Sequence, residues 1–324
     1  MSVKTVKMSF LKLVHSPIST QEAVWIKRSK STSAQEQLQQ SDFYMIGGRM
    51  EAKLDDVQFD GNTNILTVTI TIGDQIKRIC ELHLHKLPFL QEYDGHKVST
   101  SVEDDKYIVF RDSPASNANS KVLAFFSPDS LIWHVSQGMP GVVGLEEVRD
   151  LATFDLLYVG IAKVGDSFDR LIKKGHTKRQ EILSNEPQRY PGARVTDEIY
   201  LFLFKIEPLI LRMSTLEDFT FKGDVEYNNK QIVIDAEKAF VSLLRPEYND
   251  VVYTQYPKGK DALYGGQFDS YGYVIAENIA FNTQRCTIRG SWSSITNMTT
   301  NDEDGILVSG NKVTFLESGF PKNL

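Results

Sequence analysis

The sequence predicts an α+β protein in which a small central domain lies between two β-rich regions. Residues 53–85 alternate or run β-branched, as strands joined by tight turns do. Farther along, strand patterns alternate with helical ones, and strand signals return after residue 251. We therefore divide the chain into a β-rich N-terminal domain (1–120), a central domain (121–250) and a β-rich C-terminal region (251–324).

Composition narrows the class of protein. The 324 residues are 41% apolar and 24% charged, which is normal for a soluble globular chain of two or three domains. The longest apolar runs are too short to span a bilayer, and the N-terminus lacks the apolar centre of a secretory signal, so we expect no membrane. The two cysteines form neither a disulfide framework nor a zinc motif, which predicts a cytoplasmic location. A net charge of −6 excludes global basicity but not a local basic patch.

The first part of the chain is predicted to form strands joined by turns. The strand candidates there are residues 53–60, 64–72 and 76–85. Asp60-Gly61-Asn62 is a turn signal between the first two. Residues 31–42 are polar and form a loop or a short helix, and the Ser/Asn-rich segment 111–121 is a candidate domain boundary.

The central part is predicted to contain four strands. They are "VLAFFS" (122–127), "LIWHVS" (131–136), "DLLYVGIA" (155–162) and "DEIYLFLFKI" (197–206). The last is apolar on both faces, as a central strand covered on each side would be. In the C-terminal region, residues 305–317 predict a hairpin with a Gly310-Asn311 turn.

The segment "AEKAFVSLLRPEYND" (236–250) is predicted to begin as a helix. Its apolar residues recur at helical spacing, at Ala236, Ala239, Phe240, Leu243 and Leu244. We predict Asp235 as its N-cap and Pro246 as its stop. Glu237 would then lie in the first turn at the edge of the apolar face. It is either an exposed carboxylate favoured by the helix dipole or a group that borders both core and solvent.

Two further helices are predicted between residues 166 and 185. Asp166 or Ser167 can cap the first, and Gly175 can stop it. Its buried side would be Phe168, Leu171 and Ile172. Thr177 to Gln180 then reads as a capping box that opens the second helix.

Basic residues are concentrated around these helices. Residues 163–194 contain eight basic and four acidic side chains, a local balance of +4. That patch is either a solvated helix face or a phosphate-binding surface. The candidates for nucleic-acid binding are Lys163, Lys173, Lys174, Lys178 and Arg179.

The order of these features resembles the GIY-YIG nuclease superfamily over roughly residues 131–250. The matching residues are Tyr158-Val159-Gly160 on a strand, Arg170 in the next helix, Glu237 in a later helix, and Asn249 twelve positions after it. Two-residue alternation puts Tyr158 and Gly160 on one strand face, where a glycine would let a phosphate or metal approach. The resemblance implies a three-stranded antiparallel sheet with helices.

The first half of the family signature, Gly-Ile-Tyr on a preceding strand, is absent as written. Trp133 or His134 in the predicted strand 131–136 are the nearest substitutes, and a histidine could serve as proton acceptor. The segment 208–230 reads as an insertion.

The resemblance also implies chemistry, namely phosphodiester hydrolysis with one divalent metal, Mg²⁺ or Mn²⁺. Glu237 would be the metal ligand, because Mg²⁺ prefers carboxylate oxygens and keeps several waters. Arg170 would hold the phosphate oxygens. Tyr158 would bind or activate the attacking water with His134 or His176 as base, and Asn249 would orient the phosphate or a neighbouring side chain.

The leading prediction is thus an endonuclease acting on nucleic acid, DNA rather than RNA, in restriction, antiviral defence or repair. The β-rich flanks could bind a protein partner. Two other classes stay open: a non-catalytic binding module that keeps the nuclease scaffold, and a β-rich structural protein. His83 and His85 form a two-ligand metal candidate without a third ligand, and the aromatics of residues 253–273 either stack on bases or pack on the core.

Overall fold

The chain forms a mixed α+β fold, with about 23% helix and 38% strand, in a computed structural model. The structure describes residues 4–28, 32–93, 98–114, 116–117, 119–146, 148–162, 164–213, 227–259 and 261–322. Lys163 and most of the predicted insertion 208–230 lie outside these residues.

The secondary-structure elements alternate along the whole chain. The strands are β1 (Lys4–Leu13), β2 (Ile18–Ser19), β3 (Phe43–Gly48), β4 (Ala52–Asp60), β5 (Ile65–Ile72), β6 (Ile76–His83), β7 (Ser99–Glu103), β8 (Tyr107–Arg111), β9 (Val122–Phe126), β10 (Val142–Val143), β11 (Thr153–Ile161), β12 (Ile199–Met213), β13 (Ser270–Ile275), β14 (Ala280–Asn282), β15 (Thr287–Arg289), β16 (Gly305–Ser309), β17 (Lys312–Glu317) and β18 (Phe320–Lys322). The helices are α1 (Thr20–Arg28), α2 (Thr32–Leu38), α3 (Pro88–Gln91), α4 (Pro128–Ser136), α5 (Thr177–Asn185), α6 (Val195–Glu198) and α7 (Asn229–Leu244). A 3₁₀ turn covers Leu84–Lys86 and a π-helical turn covers Asp169–Lys173.

A large mixed sheet organises the molecule. Its strand order is β15-β14-β11-β3-β12-β1-β13-β16-β17-β18, with β2 added on β12. β1 pairs antiparallel with β12 and parallel with β13. Strands from all three of the predicted regions therefore lie side by side in this sheet.

The sheet is covered on both faces at its centre. Residues 199–204 of β12 are all buried, as the two-sided apolar pattern predicts, but the strand continues to Met213 along β1. On β3, Phe43 faces α7, with its ring 5.7 Å from that of Phe240. Its neighbour Tyr44 belongs to the opposite layer, together with Phe168 and Leu171. The two layers hold β3 between them.

Two smaller sheets complete the fold, in the orders β10-β6-β5-β4 and β7-β8-β9. The three strands predicted at residues 53–85 are β4, β5 and β6, although β6 ends at His83 and His85 lies in the 3₁₀ turn. Asp60 closes the predicted turn by accepting hydrogen bonds from Asn62 N–H and the Thr63 hydroxyl. The segment after Arg111 joins β8 to β9 within one sheet.

The prediction of a strand at residues 131–136 is wrong, because these residues lie in α4. Ser127 caps that helix by accepting a hydrogen bond from Ser130 N–H, and Pro128 occupies its first turn. Leu131 and Ile132 are buried there. A short apolar run fits a helix or a strand equally well, and the cap and the proline decide between them.

Candidate active site

The site begins where β11 lies antiparallel to β3. Gly160 pairs with Tyr44 across the two strands, and Tyr158 pairs with Ile46. A Cβ atom on Gly160 would lie 2.6 Å from the Tyr44 ring and 2.7 Å from the Tyr158 ring. The space above Gly160, which we expected to admit a phosphate or a metal, is thus filled by Tyr44. Gly160 is required here for the close approach of two aromatic rings.

Tyr44, Tyr158 and His176 form a compact cluster. The two tyrosine rings stack with centroids 6.1 Å apart, and the His176 ring meets Tyr44 at 5.7 Å and Tyr158 at 5.5 Å. The Tyr44 hydroxyl lies 2.9 Å from His176 Nε2. His176 is therefore part of the cluster, as the sequence predicts, while Tyr44 was not foreseen.

The hydrogen bonds of His176 indicate which of its ring nitrogens carries the proton. His176 also caps α5, where its Nδ1 accepts a hydrogen bond from Arg179 N–H at 3.3 Å, so α5 starts with a histidine cap rather than with the predicted capping box. An accepting Nδ1 leaves the proton of the neutral ring on Nε2, which then donates to the Tyr44 oxygen. The Tyr44 and Tyr158 hydroxyls lie close enough to interact electrostatically. His176 is thus hydrogen-bonded to Tyr44, and both rings pack against Tyr158.

The charges around the cluster favour neutral side chains. Burial, followed by the positive charges of Arg170, Arg179 and Lys178, lowers the pKa of His176 to about 4. Burial and the charge of Glu237 raise the pKa of Tyr158, while Arg170 acts in the opposite direction. At neutral pH an uncharged histidine and two protonated tyrosines therefore lie beside Arg170 and Glu237.

Glu237 reaches the site from the middle of α7, and the prediction that it lies in the first turn is wrong. α7 begins at Asn229 and is capped by Asn228, not by Asp235. Glu237 is half-buried, and it interacts electrostatically with Tyr44 and Tyr158. The dipole-based explanation for this carboxylate does not apply so far from the helix N-terminus.

Asp235 has a purely internal role. It is fully buried and accepts hydrogen bonds from the Tyr256 hydroxyl at 2.8 Å, the Tyr273 hydroxyl at 2.5 Å and Leu263 N–H at 3.0 Å. Three donors from outside the helix bind this carboxylate. It therefore cannot serve as the predicted N-cap.

Arg170 lies in the π-helical turn, in the segment predicted to be the first of two helices. That turn buries Leu171 and Ile172 and is followed by Gly175 at a φ of +73°, as predicted. No ion pair within the described residues involves Arg170 or Arg179, and the Arg179 Nε is buried without a hydrogen-bond partner there. A guanidinium group without a carboxylate partner suits an anionic ligand.

The neighbouring lysines differ from these arginines. Lys173 pairs with Asp169 at 2.7 Å, and Lys178 pairs with Asp250 at 2.7 Å. Lys173 ends the π-helical turn and Lys174 follows it directly, and both are exposed.

Asn249 supports the strand rather than pointing into the site. Its Oδ1 accepts from Val159 N–H at 2.9 Å, and its Nδ2 donates to the Val159 carbonyl at 2.8 Å. Tyr248 N–H donates to the Leu157 carbonyl just before it. Asn249 thus holds the backbone between Tyr158 and Gly160. This role differs from the predicted orientation of a phosphate or a side chain.

His134 lies elsewhere, on α4. Its Nδ1 is 2.7 Å from the Ser130 carbonyl, and its ring packs against Phe126 and Trp133. None of these contacts within the described residues reaches the cluster. The strands that neighbour β11 are β3 and β14, and Trp133 and His134 lie on neither of them.

The other candidates pack into the fold. Tyr271 and Tyr273 are buried in β13, and Tyr253 and Tyr256 pack against the main core, which favours packing over base stacking for these four. His83 and His85 have ring centroids 6.0 Å apart. Within the described residues no group of three or more His, Cys, Asp or Glu side chains could hold a metal, and no helix is long and apolar enough to cross a membrane.

Comparison with known proteins finds no matching family model, no matching curated protein and no matching solved structure.

Proposed function

We propose that the chain is a metal-dependent endonuclease of GIY-YIG type that hydrolyses phosphodiester bonds in nucleic acid, with DNA as the substrate. The convergence of five side chains from five separate elements carries the proposal. They are Tyr44 on β3, Tyr158 on β11, Arg170 in the π-helical turn, His176 at the start of α5 and Glu237 on α7. A scaffold without chemistry has no need for this set.

Tyr44 supports the proposal through its place on β3, the strand paired with β11. The resemblance implies a first tyrosine on the strand beside Tyr158, and Tyr44 pairs with Gly160 there. β12 pairs antiparallel with the other side of β3. The run β11-β3-β12 is thus a three-stranded antiparallel unit within the larger sheet.

Glu237 fits the single divalent metal that the proposal implies. A half-buried carboxylate beside tyrosine hydroxyls offers oxygen ligands, the kind that Mg²⁺ and Mn²⁺ prefer. Mg²⁺ usually keeps several waters and is held by one or two carboxylates, so a three-ligand protein cage is not needed. When bound, the metal would act as a Lewis acid on the phosphate and stabilise the leaving oxygen.

The remaining residues of the site divide the other tasks. Arg170 and Arg179, which lack carboxylate partners in the described part, would bind phosphate oxygens as charge builds on them. Tyr158 would hold the attacking water at its hydroxyl. His176 and Tyr44, whose rings pack against Tyr158, would keep that side chain in place. Asn249 would fix the strand that carries Tyr158.

Nucleic acid would be held by a local basic surface, because the whole chain is acidic. Lys173 and Lys174 are exposed beside Arg170, and Lys178 lies on the next helix. A role in restriction, antiviral defence or repair belongs to the same proposal and rests on the analogy of fold and site alone.

A cleavage assay tests the proposal. Wild type and Glu237→Gln are incubated with plasmid, single-stranded DNA or RNA in Mg²⁺, Mn²⁺ or EDTA. We expect metal-dependent cutting of DNA by wild type and a loss of about 10³-fold or more in Glu237→Gln, because the replaced group holds the Lewis acid. The exposed Glu247, in the loop after α7, gives the matched control Glu247→Gln, which should cut like wild type.

The assay also separates the competing classes of protein. Equal cutting by wild type and Glu237→Gln would contradict the assignment of the site. No cutting, together with DNA binding that is lost when Lys173 and Lys174 are both changed to Glu, would instead identify a non-catalytic nucleic-acid-binding module.

A further inference from the structure

Three aromatic side chains meet at the protein surface, on α1 and on the small sheet β7-β8-β9. Trp25 is 54% exposed and Phe125 is 47% exposed, and their rings meet edge to face with centroids 5.8 Å apart. The ring of Tyr107, which is half-buried, lies 6.3 Å from that of Phe125. Single exposed apolar residues are common on protein surfaces, but a contiguous group of them marks an interaction site. We call these three residues the aromatic platform.

Strand alternation places two of these rings on the outer face of the small sheet. Ile108 and Phe110 of β8 are fully buried on the inner face. Tyr107 and Val109 therefore point the other way, and Phe125 of β9 lies opposite Val109. No residue of the platform belongs to either of the two buried apolar layers. The core of the protein does not depend on these rings.

The helix that carries the platform lies against the π-helical turn of the candidate active site. α1 buries Ile26 in the same apolar layer as Leu171 of that turn. Lys27 Nζ donates to the Ile172 carbonyl, also in the turn, at 3.1 Å. Arg170 belongs to this turn, so one packed helix connects the platform to the arginine that would bind phosphate.

Basic side chains lie on the α1 side of the platform. Arg28 is exposed three positions after Trp25, on the same side of the helix. Residues 23–35 contain three basic and no acidic side chains. The turn between β7 and β8 carries Asp104 and Asp105, both exposed, so an anionic strand would follow the α1 side. Exposed rings beside cations complement a nucleic-acid strand, in which each nucleotide offers a base to stack and a phosphate to pair.

We infer that the aromatic platform binds unpaired bases of the nucleic-acid strand that enters the active site, by stacking them on Trp25 and Phe125. The inference rests on the proposed function and narrows its substrate to nucleic acid with a single-stranded segment beside the scissile bond. Bases in a duplex already stack on one another, so only unpaired bases gain from the platform. Every base has a π face, so the platform should not select a base sequence.

The test measures binding of a fluorescently labelled oligothymidylate of about 12 nucleotides, a length within the usual range of single-strand sites. Fluorescence anisotropy is recorded in EDTA, so that cleavage does not contribute. Trp25→Leu keeps an apolar side chain and removes the ring, whereas Trp25→Phe keeps a ring. We expect Kd to weaken by about 5- to 100-fold in Trp25→Leu and to recover largely in Trp25→Phe. An abasic oligonucleotide of the same length should bind wild type and Trp25→Leu equally, since it offers phosphates without bases.

Two further variants control for effects on folding and on surface aromatics in general. Phe125→Leu should also weaken binding, and it should melt like wild type because its ring is exposed. Phe320→Leu removes an aromatic ring that is 77% exposed on β18, and it should bind like wild type.

Each failure of this test has its own meaning. Equal Kd values for wild type and Trp25→Leu, or equal weakening in Phe320→Leu and Trp25→Leu, would overturn the inference and leave the nuclease proposal intact. Metal-dependent cutting of duplex DNA by a protein that does not bind the oligonucleotide would do the same. The absence of both binding and cutting would contradict both proposals.

Discussion

Asp235 and Glu237 are two carboxylates on one helix, two positions apart, and their surroundings differ in kind. Asp235 is fully buried with three donors on its two oxygens, and Lys7, also fully buried, lies near enough to interact with its charge. Glu237 is half-buried and faces tyrosines and an arginine that has no ion-pair partner among the described residues. Asp235, whose oxygens accept three hydrogen bonds, stabilises the fold. Glu237, near an arginine without an ion-pair partner among the described residues, is better placed to contact a ligand.

Lys7 is part of the buried polar network around Asp235. Lys7 Nζ donates to Ser9 Oγ at 2.6 Å and lies 4.8 Å from the centre of the Tyr273 ring. Burial lowers the pKa of Lys7 to about 7, and the charge of Asp235 acts in the opposite direction. The network joins β1, α7 and β13, so it connects the two ends of the chain through the core.

Asp235→Asn should give the largest change in stability. In the asparagine, an NH₂ group replaces one acceptor oxygen. This donor would then face either the hydroxyls of Tyr256 and Tyr273 or the N–H of Leu263, which are donors themselves. We expect the free energy of unfolding to fall by about 2–3 kcal/mol, since hydrogen bonds to a charged group are lost. Urea denaturation measures it. An unchanged midpoint would contradict the structural role of Asp235.

Arg170→Ala tests the proposed catalytic role of the site around Glu237. Removing a positioned cation from a developing charge costs about 10²- to 10³-fold in rate, so cleavage should fall by that factor while the melting temperature stays near wild type. Arg194→Ala is the matched control, because Arg194 is an exposed arginine that the proposal does not place in the site. A large fall in the melting temperature of Arg170→Ala would support a structural role instead.

The smallest expected effect is the contribution of His176 to the pH dependence of folding stability. The folded pKa of about 4 lies below the ordinary value of 6.5, so the unfolded chain binds the proton more readily. Stability should therefore fall as pH drops from about 6.5 toward 4. After allowance for solvent screening the contribution is about 1 kcal/mol. His176→Asn should flatten this part of the pH dependence in urea unfolding, and an unaltered slope would contradict the shift.

Local patterns predicted the elements that depend on local sequence. Alternation located β5 and β11, two-sided apolarity located β12, and helical spacing located the buried face of α7, where Ala236 and Phe240 are fully buried. The stop before Pro246 was also correct, with Arg245 in the left-handed region. These features follow from residues that are neighbours in the chain.

Pairing between distant strands was not predictable in the same way. Tyr44 was missed because the partner of the Tyr158 strand was sought just before it, whereas β3 comes far earlier in the chain. The run "FYMIGG" at residues 43–48 is a short apolar strand with a tyrosine and could have served as the signal. For Tyr253 the sequence left base stacking and core packing open, and the structure packs its ring against the main core.

The most direct measurement applies two assays, DNA cleavage and urea unfolding, to Glu237→Gln and Asp235→Asn side by side. We predict that Glu237→Gln loses metal-dependent cutting and unfolds at the wild-type midpoint. Asp235→Asn should unfold earlier and still cut when folded. If both variants lose stability equally and Glu237→Gln still cuts DNA, then α7 carries two structural carboxylates and the proposed active site is contradicted.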